Sequence, residues 1–283
     1  MRENYDRIEV HPVTGALGAE IAGIDLSETL DNETFSEIYD AFLDHLVLFF
    51  HNQELTPGQH KAFARRFGDL HVHPLTRSMP GHPEIVEVIK ESEEHHNWGD
   101  GWHTDLPFLE EPPLGSVLYA RDVPPFSGDT HFANMYLAYE TLSDTMRGLL
   151  DGLKCVFKGG VANYSRFQGM TAVEDAGDFV ATHPVVRTHP VTGRKALYLH
   201  RKNCASLEGM SPKESAAILD FLYGHAENPD FSCRFHWRVN SIAMWDNRCT
   251  LHRVSADYFY SERDFSSGRR HLQRVTLKGD RPF

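Results

Sequence analysis

The sequence predicts a mainly β fold with flanking helices, a sandwich or jelly-roll barrel built as a single domain over residues 1–283. Short stretches alternate apolar and polar residues with the period of two expected of strands, and Pro- and Gly-rich turns separate them. A few segments switch to the helical period. No linker or low-complexity stretch divides the chain, and 41% hydrophobic residues suffice for one sizeable core.

Taken in order, Phe35, Ile38, Tyr39, Phe42 and Leu43 recur at i, i+3, i+4, i+7 and i+8, predicting a helix with one buried face. Thr56-Pro57-Gly58-Gln59 opens a second, with Thr56 as N-cap, Pro57 at the first helical position and Gln59 completing a capping box. It should run through Phe63 to Phe67 and stop at Gly68. Strands are expected at Ile85–Ile89, Gly115–Ala120, Lys154–Phe157, Val185–His189 and Arg194–Leu199. Ser211-Pro212-Lys213-Glu214 repeats the helix-start signal, and that helix should carry Ile218, Phe221 and Leu222 inward. Phe231–Trp237 alternates, with Phe231, Cys233, Phe235 and Trp237 on one side; Ser241–Asp246 and Leu272–Leu277 complete the strands. His-Pro-Val-Thr-Gly occurs at 11–15 and 189–193 with unlike flanks, which reads as a reused turn between strands.

A net charge of −12 argues against a nucleic-acid binder or an anionic-membrane binder, since both need basic surfaces. Cys155, Cys204, Cys233 and Cys249 form no Cys-x-x-Cys pair and are too sparse for a disulfide scaffold, so a cytoplasmic protein is expected. The N-terminus lacks an apolar secretory segment, and the run Leu46–Phe50 is too short to span a bilayer.

The chemistry starts at Trp102-His103-Thr104-Asp105. In an extended segment, side chains two apart leave on one face, so His103 and Asp105 could reach one cation. They would make two thirds of a 2-His-1-carboxylate triad, the arrangement that leaves positions open on Fe(II). One His-x-Asp is expected by chance among 18 histidines. The best third ligand is His252, which taken alone reads more readily as a satisfied core histidine. Near the C-terminus, Arg270, Leu272, Arg274 and Thr276 share a strand face, the arginines about 13 Å apart along it. Two guanidinium groups pointing into a barrel each need an anion. A dicarboxylate and an anionic substrate would supply two, and an internal Asp or Glu could supply one.

At these residues the chain resembles the taurine dioxygenase and 2,4-dichlorophenoxyacetate dioxygenase family of Fe(II)/2-oxoglutarate enzymes. The resemblance runs almost end to end. It includes Phe67-Gly68-Asp69-Leu70-His71-Val72-His73-Pro74, Trp102-His103-Thr104-Asp105, Gly128-Asp129-Thr130, His183-Pro184-Val185-Val186-Arg187, Trp245-Asp246-Asn247-Arg248 and Arg274-Val275-Thr276-Leu277-Lys278-Gly279-Asp280. It implies a double-stranded β-helix (jelly-roll) barrel, with His103, Asp105 and His252 as iron ligands and catalytic centre. It also implies that Arg270, helped by Thr130, holds the far carboxylate of 2-oxoglutarate, a task suited to a bidentate guanidinium. Residues matching His73 and Arg274 hold the substrate sulfonate in the taurine enzyme, so a small anionic organic substrate is implied. The resemblance further implies O2 as co-reactant, succinate and CO2 as products, and a homo-oligomer, dimer or tetramer.

Two departures stand out. The segment Ser255–Gly268 is longer than in the taurine enzyme and is expected near the mouth. Asn203 stands where that enzyme places an aromatic, which disfavours taurine itself and makes Asn203 a substrate-binding candidate; aryloxyalkanoates and amino-acid-like carboxylates remain alternatives. Arg263 rivals Arg270 by its distance from His252, and the paired Arg269-Arg270 favours Arg270. Trp102, Asp246, Asn247 and Arg248 read as structural, His95 and His96 as solvated, and Trp98 stays open between packing and pocket lining. From other classes, a non-catalytic metal- or anion-binding barrel and a zinc hydrolase could use the same ligands.

Overall fold

Val47–Phe50 is apolar at every position because it is buried on both faces: Val47 and Phe49 pack into one core, Leu48 and Phe50 into another. The same division runs through its neighbours. Leu118, Ala243, Trp245 and Leu272 join the first core; Val117, Tyr119, Ile242, Met244 and Val275 join the second. A fully buried Phe such as Phe49 or Phe50 contributes about 1.5–3 kcal/mol.

The computed structural model describes residues 5–76, 78–92, 94, 98–160, 178–257 and 269–283. His95, His96, Arg263 and most of the 255–268 segment therefore lie outside the described residues. Among those described, the largest sheet has nine strands. Along it run Glu9–Pro12, Ala19–Ala22, Val47–Phe50, Ile242–Asp246, Gly115–Asp122, Arg270–Leu277, His82–Lys90 and Ser78–Met79, and Leu70–His71 also pairs with Arg270–Leu277. Only Ala19–Ala22 and Val47–Phe50 run parallel.

A second sheet, Ser232–Phe235, Thr130–Asn134 and Thr250–Val254, packs over the first core: Phe235 stacks on Phe49 at 4.1 Å and Phe132 lies 5.7 Å from Trp245. Phe179–Pro184, Lys154–Gly159 and Cys204–Leu207 form a third. Each His-Pro-Val-Thr-Gly segment joins two paired strands, Glu9–Pro12 to Ala19–Ala22 and Val186–Thr188 to Lys195–Leu197, as expected of a reused turn.

Helices Asn32–His45 and Pro57–Arg65 cover the second core, and Pro212–Ala226 packs against the first. In Asn32–His45 the Asp31 side chain accepts from Thr34 N, and Ile38, Ala41 and Phe42 are buried. Leu46, at φ 66°, turns the chain directly into Val47–Phe50. Pro57–Arg65 carries the capping box read from Thr56 and Gln59; it ends before Phe67, which still packs against Phe42 and Phe63. Pro212–Ala226 buries Leu219, Leu222, Tyr223 and Ala226. Phe221 is 50% exposed, contrary to expectation, because the buried stripe centres on the 219, 222, 226 row and leaves it on the flank. Helices Met135–Glu140 and Asp144–Leu150 carry too short a periodic signal to be predicted. No helix among the described residues is long and apolar enough to cross a membrane.

Candidate active site

The second sheet delivers His252 from Thr250–Val254, and the connection between strands His82–Lys90 and Gly115–Asp122 delivers His103 beside it. His103 N donates to His252 O at 3.0 Å and His252 N to His103 O at 2.8 Å, an isolated antiparallel bridge. The two imidazoles therefore face each other, centroids 4.2 Å apart. Contrary to the expected strand, His103–Asp105 is held by side-chain bonds. Thr104 Oγ1 donates to Asn247 O at 2.9 Å, and Asn247 Oδ1, which accepts from Trp245 Nε1, also meets Thr104 and Asp105 N. Asn247 thus fixes the turn, the structural part read for it.

Ligand atoms of His103, Asp105 and His252 all lie within 4.8 Å of one another. His103 Nδ1 is 2.7 Å from Gly101 O, so it carries the proton and leaves the Nε2 lone pair for a metal. Burial, with the mutual repulsion of the two rings and Lys202, holds His103 well below the usual histidine range. Burial pushes His252 down to about 4 against the opposing pull of Asp105. Both rings are neutral near pH 7, the ligating form. Burial raises the Asp105 carboxyl, yet Arg274, His252 and the Ser116 hydrogen bond outweigh it and the net shift is downward. Two neutral imidazoles and one carboxylate fit a divalent first-row ion.

Gly99 touches this centre too. It sits at φ +92°, where L side chains are strained, and an added Cβ would lie 3.2 Å from His103 Cε1.

Arg270 and Thr130 meet in a cavity of about 430 Å³ that also contacts His103, His252, Leu118 and Trp245. Trp237 organises both: its ring lies 5.9 Å from the Arg270 guanidinium, and Nε1 donates to Thr130 Oγ1 at 2.9 Å. Thr130 thereby keeps its own proton to donate into the cavity. The alternation of Phe231–Trp237 gives Trp237 a side of the strand and no role in the site.

Arg274 lines the same cavity, as the shared face with Arg270 predicts. Its Nη1 donates to Asp105 Oδ1 at 2.8 Å and its guanidinium lies 4.5 Å over the Trp98 ring. The internal carboxylate weighed as its partner is thus the proposed metal ligand itself. His73 is buried, accepts from Leu75 N and stands edge-on to Trp98; burial and Arg274 hold it well below the usual histidine range. Asn203 lines a second cavity beyond His103, but its Nδ2 donates to Lys158 O at 2.8 Å. Ser116 was not anticipated: its Oγ donates to Asp105 Oδ2 at 2.9 Å. Nor was His200, buried with both ring nitrogens lacking a hydrogen bond and pushed by burial, then Lys202, down to about 3.

A second buried group, His189, Asp246 and Cys249, also clusters tightly. It is filled by protein: Asp246 accepts from Arg248 Nε and Nη2 and from His189 Nε2, as the structural reading expects. His189 Nδ1 accepts from Val191 N and Thr192 N, which fixes Nε2 as the protonated nitrogen.

A family model described as taurine catabolism dioxygenase TauD, TfdA family, matches residues 9–276. The chain is 32% identical to an alpha-ketoglutarate-dependent sulfate ester dioxygenase of Pseudomonas putida, over 97% of this chain and 91% of that one. It is 31% identical to the alpha-ketoglutarate-dependent 2,4-dichlorophenoxyacetate dioxygenase of Cupriavidus pinatubonensis, covering 96% and 98%. Among solved structures, a taurine dioxygenase from Burkholderia xenovorans superposes with a TM-score of 0.84 at 37% identity, covering 98% and 91%.

Proposed function

Since this chain belongs to the TauD/TfdA family, we propose that it is an Fe(II)- and 2-oxoglutarate-dependent dioxygenase that hydroxylates a small anionic organic substrate, a sulfonate, sulfate ester or carboxylate. The observation that carries this reading is the convergence of His103, Asp105 and His252 beside a cavity holding Arg270. Bound iron and 2-oxoglutarate supply the oxidising chemistry: O2 is consumed, one oxygen enters a substrate C–H bond, and succinate and CO2 leave.

The chain's own residues do the rest. His103, Asp105 and His252 hold the metal. Arg270 takes the far carboxylate of 2-oxoglutarate with the Thr130 hydroxyl donating beside it, in a cavity lined on its apolar side by Leu118 and Trp245. Arg274 keeps Asp105 ionised. With neutral His73 across Trp98, it borders the route of an incoming anion and serves as a substrate-binding residue. Positioning the C–H bond is the protein's main contribution. The packing of the nine- and three-stranded sheets around this cavity supports one domain over 1–283 with a double-stranded β-helix, or jelly-roll, core.

The test is to supply purified protein with Fe(II), 2-oxoglutarate and a panel of alkyl sulfates, sulfonates and aryloxyalkanoates while following oxygen uptake and succinate. Substrate-stimulated succinate that disappears in Asp105→Ala is expected. Turnover of an ester with Zn(II) and no oxygen would point to a hydrolase instead.

A further inference from the structure

We propose that Cys155 and Cys204 form a redox-modification site, at which a hydroperoxide converts the two thiols into a reversible disulfide. That bond staples the turn 200–204, at the edge of the candidate active site, to strand Lys154–Gly159. The proposal goes beyond the dioxygenase reading and does not depend on it.

Strand Cys204–Leu207 pairs antiparallel with Lys154–Gly159, with Cys204 opposite Phe157 and Leu207 opposite Cys155. Side chains two apart on a strand share a face, so Cys155 and Phe157 point the same way and Cys204 is the diagonal neighbour of Cys155. The register shifts between Cys204 and Ser206, and a bulge of this kind bends its strand locally. Both cysteines are free thiols, and Cys155 Sγ donates to Cys204 Sγ at 2.8 Å. Reaching the covalent separation of about 2.05 Å takes a movement shorter than a bond. The other two cysteines have different surroundings. Cys233 pairs with Phe132 in the second sheet, and Cys249 belongs to the buried group with His189 and Asp246.

The two sulfurs are not equivalent. Cys155 is fully buried, whereas Cys204 is partly exposed. Its hydrogen bond to Cys204, then burial, pushes the Cys155 thiol above the usual range, so it stays protonated. Cys204 is therefore the sulfur an oxidant meets first. Its thiolate attacks the peroxide: an S–O bond forms, the O–O bond breaks, and the departing oxygen takes a proton and leaves as water or alcohol. Cys204 is now a sulfenic acid and the peroxide is reduced. The Cys155 sulfur then attacks the Cys204 sulfur. The S–S bond forms, the S–O bond breaks, and hydroxide leaves as water with the Cys155 proton.

The position of the pair gives the bond its consequence. Cys204 N donates to His200 O, closing the turn that carries Lys202 and Asn203, and those two residues line a cavity with His103 and Asp105. Two hydrogen bonds already hold this turn to the neighbouring strand: Lys158 N donates to Asn203 O at 2.9 Å, and Asn203 Nδ2 donates to Lys158 O at 2.8 Å. A covalent link one residue further on suppresses the local openings that hydrogen bonds alone permit.

The test exposes full-length, Mn(II)- and 2-oxoglutarate-loaded protein to hydrogen peroxide and maps its cysteine peptides by mass spectrometry without reduction. The expected product links Cys155 to Cys204 and is released by dithiothreitol, with Cys233 and Cys249 recovered as thiols. In Cys155→Ser a sulfenic acid should persist at Cys204 and be trapped by dimedone, while Cys204→Ser should leave Cys155 reduced. Amide exchange over residues 200–204 should slow several-fold in the oxidised protein. Unreacted thiols at both positions, a bond to Cys233 or Cys249, over-oxidation of Cys204 without a link, trapping at Cys155, or equal exchange in the two forms would each overturn the proposal. None of these readings involves turnover, so they stand apart from the succinate assay that tests the dioxygenase reading.

Discussion

Arg274 Nη1 donates to Asp105 Oδ1 at 2.8 Å with the two side chains only 4% and 5% exposed, so a proposed metal ligand carries its own buried counter-ion. Breaking such a pair leaves an uncompensated charge, at a cost of about 3–5 kcal/mol. Arg274→Met should lower the stability of metal-free protein by about that amount in urea unfolding. Mn(II), by neutralising Asp105, should restore more stability to the variant than it adds to wild type. Equal stabilisation of both proteins would show that Asp105 does not depend on Arg274.

Ser116 orients the other oxygen of the same carboxylate. Hydrogen bonds behind a metal ligand are typically worth about 10–100-fold in metal affinity. Ser116→Ala should weaken Mn(II) binding about tenfold in a direct metal titration, and Ser116→Thr should recover most of it. An Ala variant with wild-type metal affinity would reduce Ser116 to a packing residue.

Trp237→Phe keeps a ring near Arg270 and removes the indole donor to Thr130. The Thr130 hydroxyl is then free to turn away from the cavity. Affinity for 2-oxoglutarate should fall about fivefold in calorimetry, consistent with the loss of one neutral hydrogen bond, while Mn(II) affinity stays constant. If metal affinity dropped instead, the indole would be supporting the ligand cluster.

His60 tests the core, away from the site. It is fully buried with Nε2 3.1 Å from Val117 O, and burial pushes its pKa down to about 4 from 6.5. A lowered folded-state pKa means the unfolded chain takes the proton first. Stability is therefore whole above pH 6.5, falls as pH drops towards 4, and loses on the order of 3 kcal/mol over that window. His60→Gln should show a shallower decline between pH 6.5 and 4 in denaturant titrations. Parallel curves would mean that His60 does not titrate in this range.

What could be read in the sequence was the chemistry that is local. Thr56 with Gln59, and Ser211 with Glu214, announce helix starts because each cap is completed within four residues. The alternation of Arg270 and Arg274 correctly placed both guanidiniums on one cavity. His103, Asp105 and His252 were found by spacing and resemblance, but strand Thr250–Val254 and its partner Thr130–Asn134 were not. Residues such as Phe132, Ala133 and Leu251 are buried together with the polar residues between them, which erases the alternation. The Arg274–Asp105 pair and the Trp237–Thr130 bond join residues far apart in the chain, and nothing near either partner specifies them. Phe221 misled because an apolar residue on a helix flank looks the same in sequence as one on its centre line.

Strand Arg270–Leu277 is wedged between two neighbours, with its cations turned to the cavity and Val275 and Leu277 turned to the helices. Inserting or deleting one residue at its start would reverse which side chains look which way. Both guanidiniums would then be driven under the helices in a single event. The strand proposed to recognise the keto acid is also a keystone of the architecture, so a slip that cost the grip on that co-reactant would cost the packing of the second core as well.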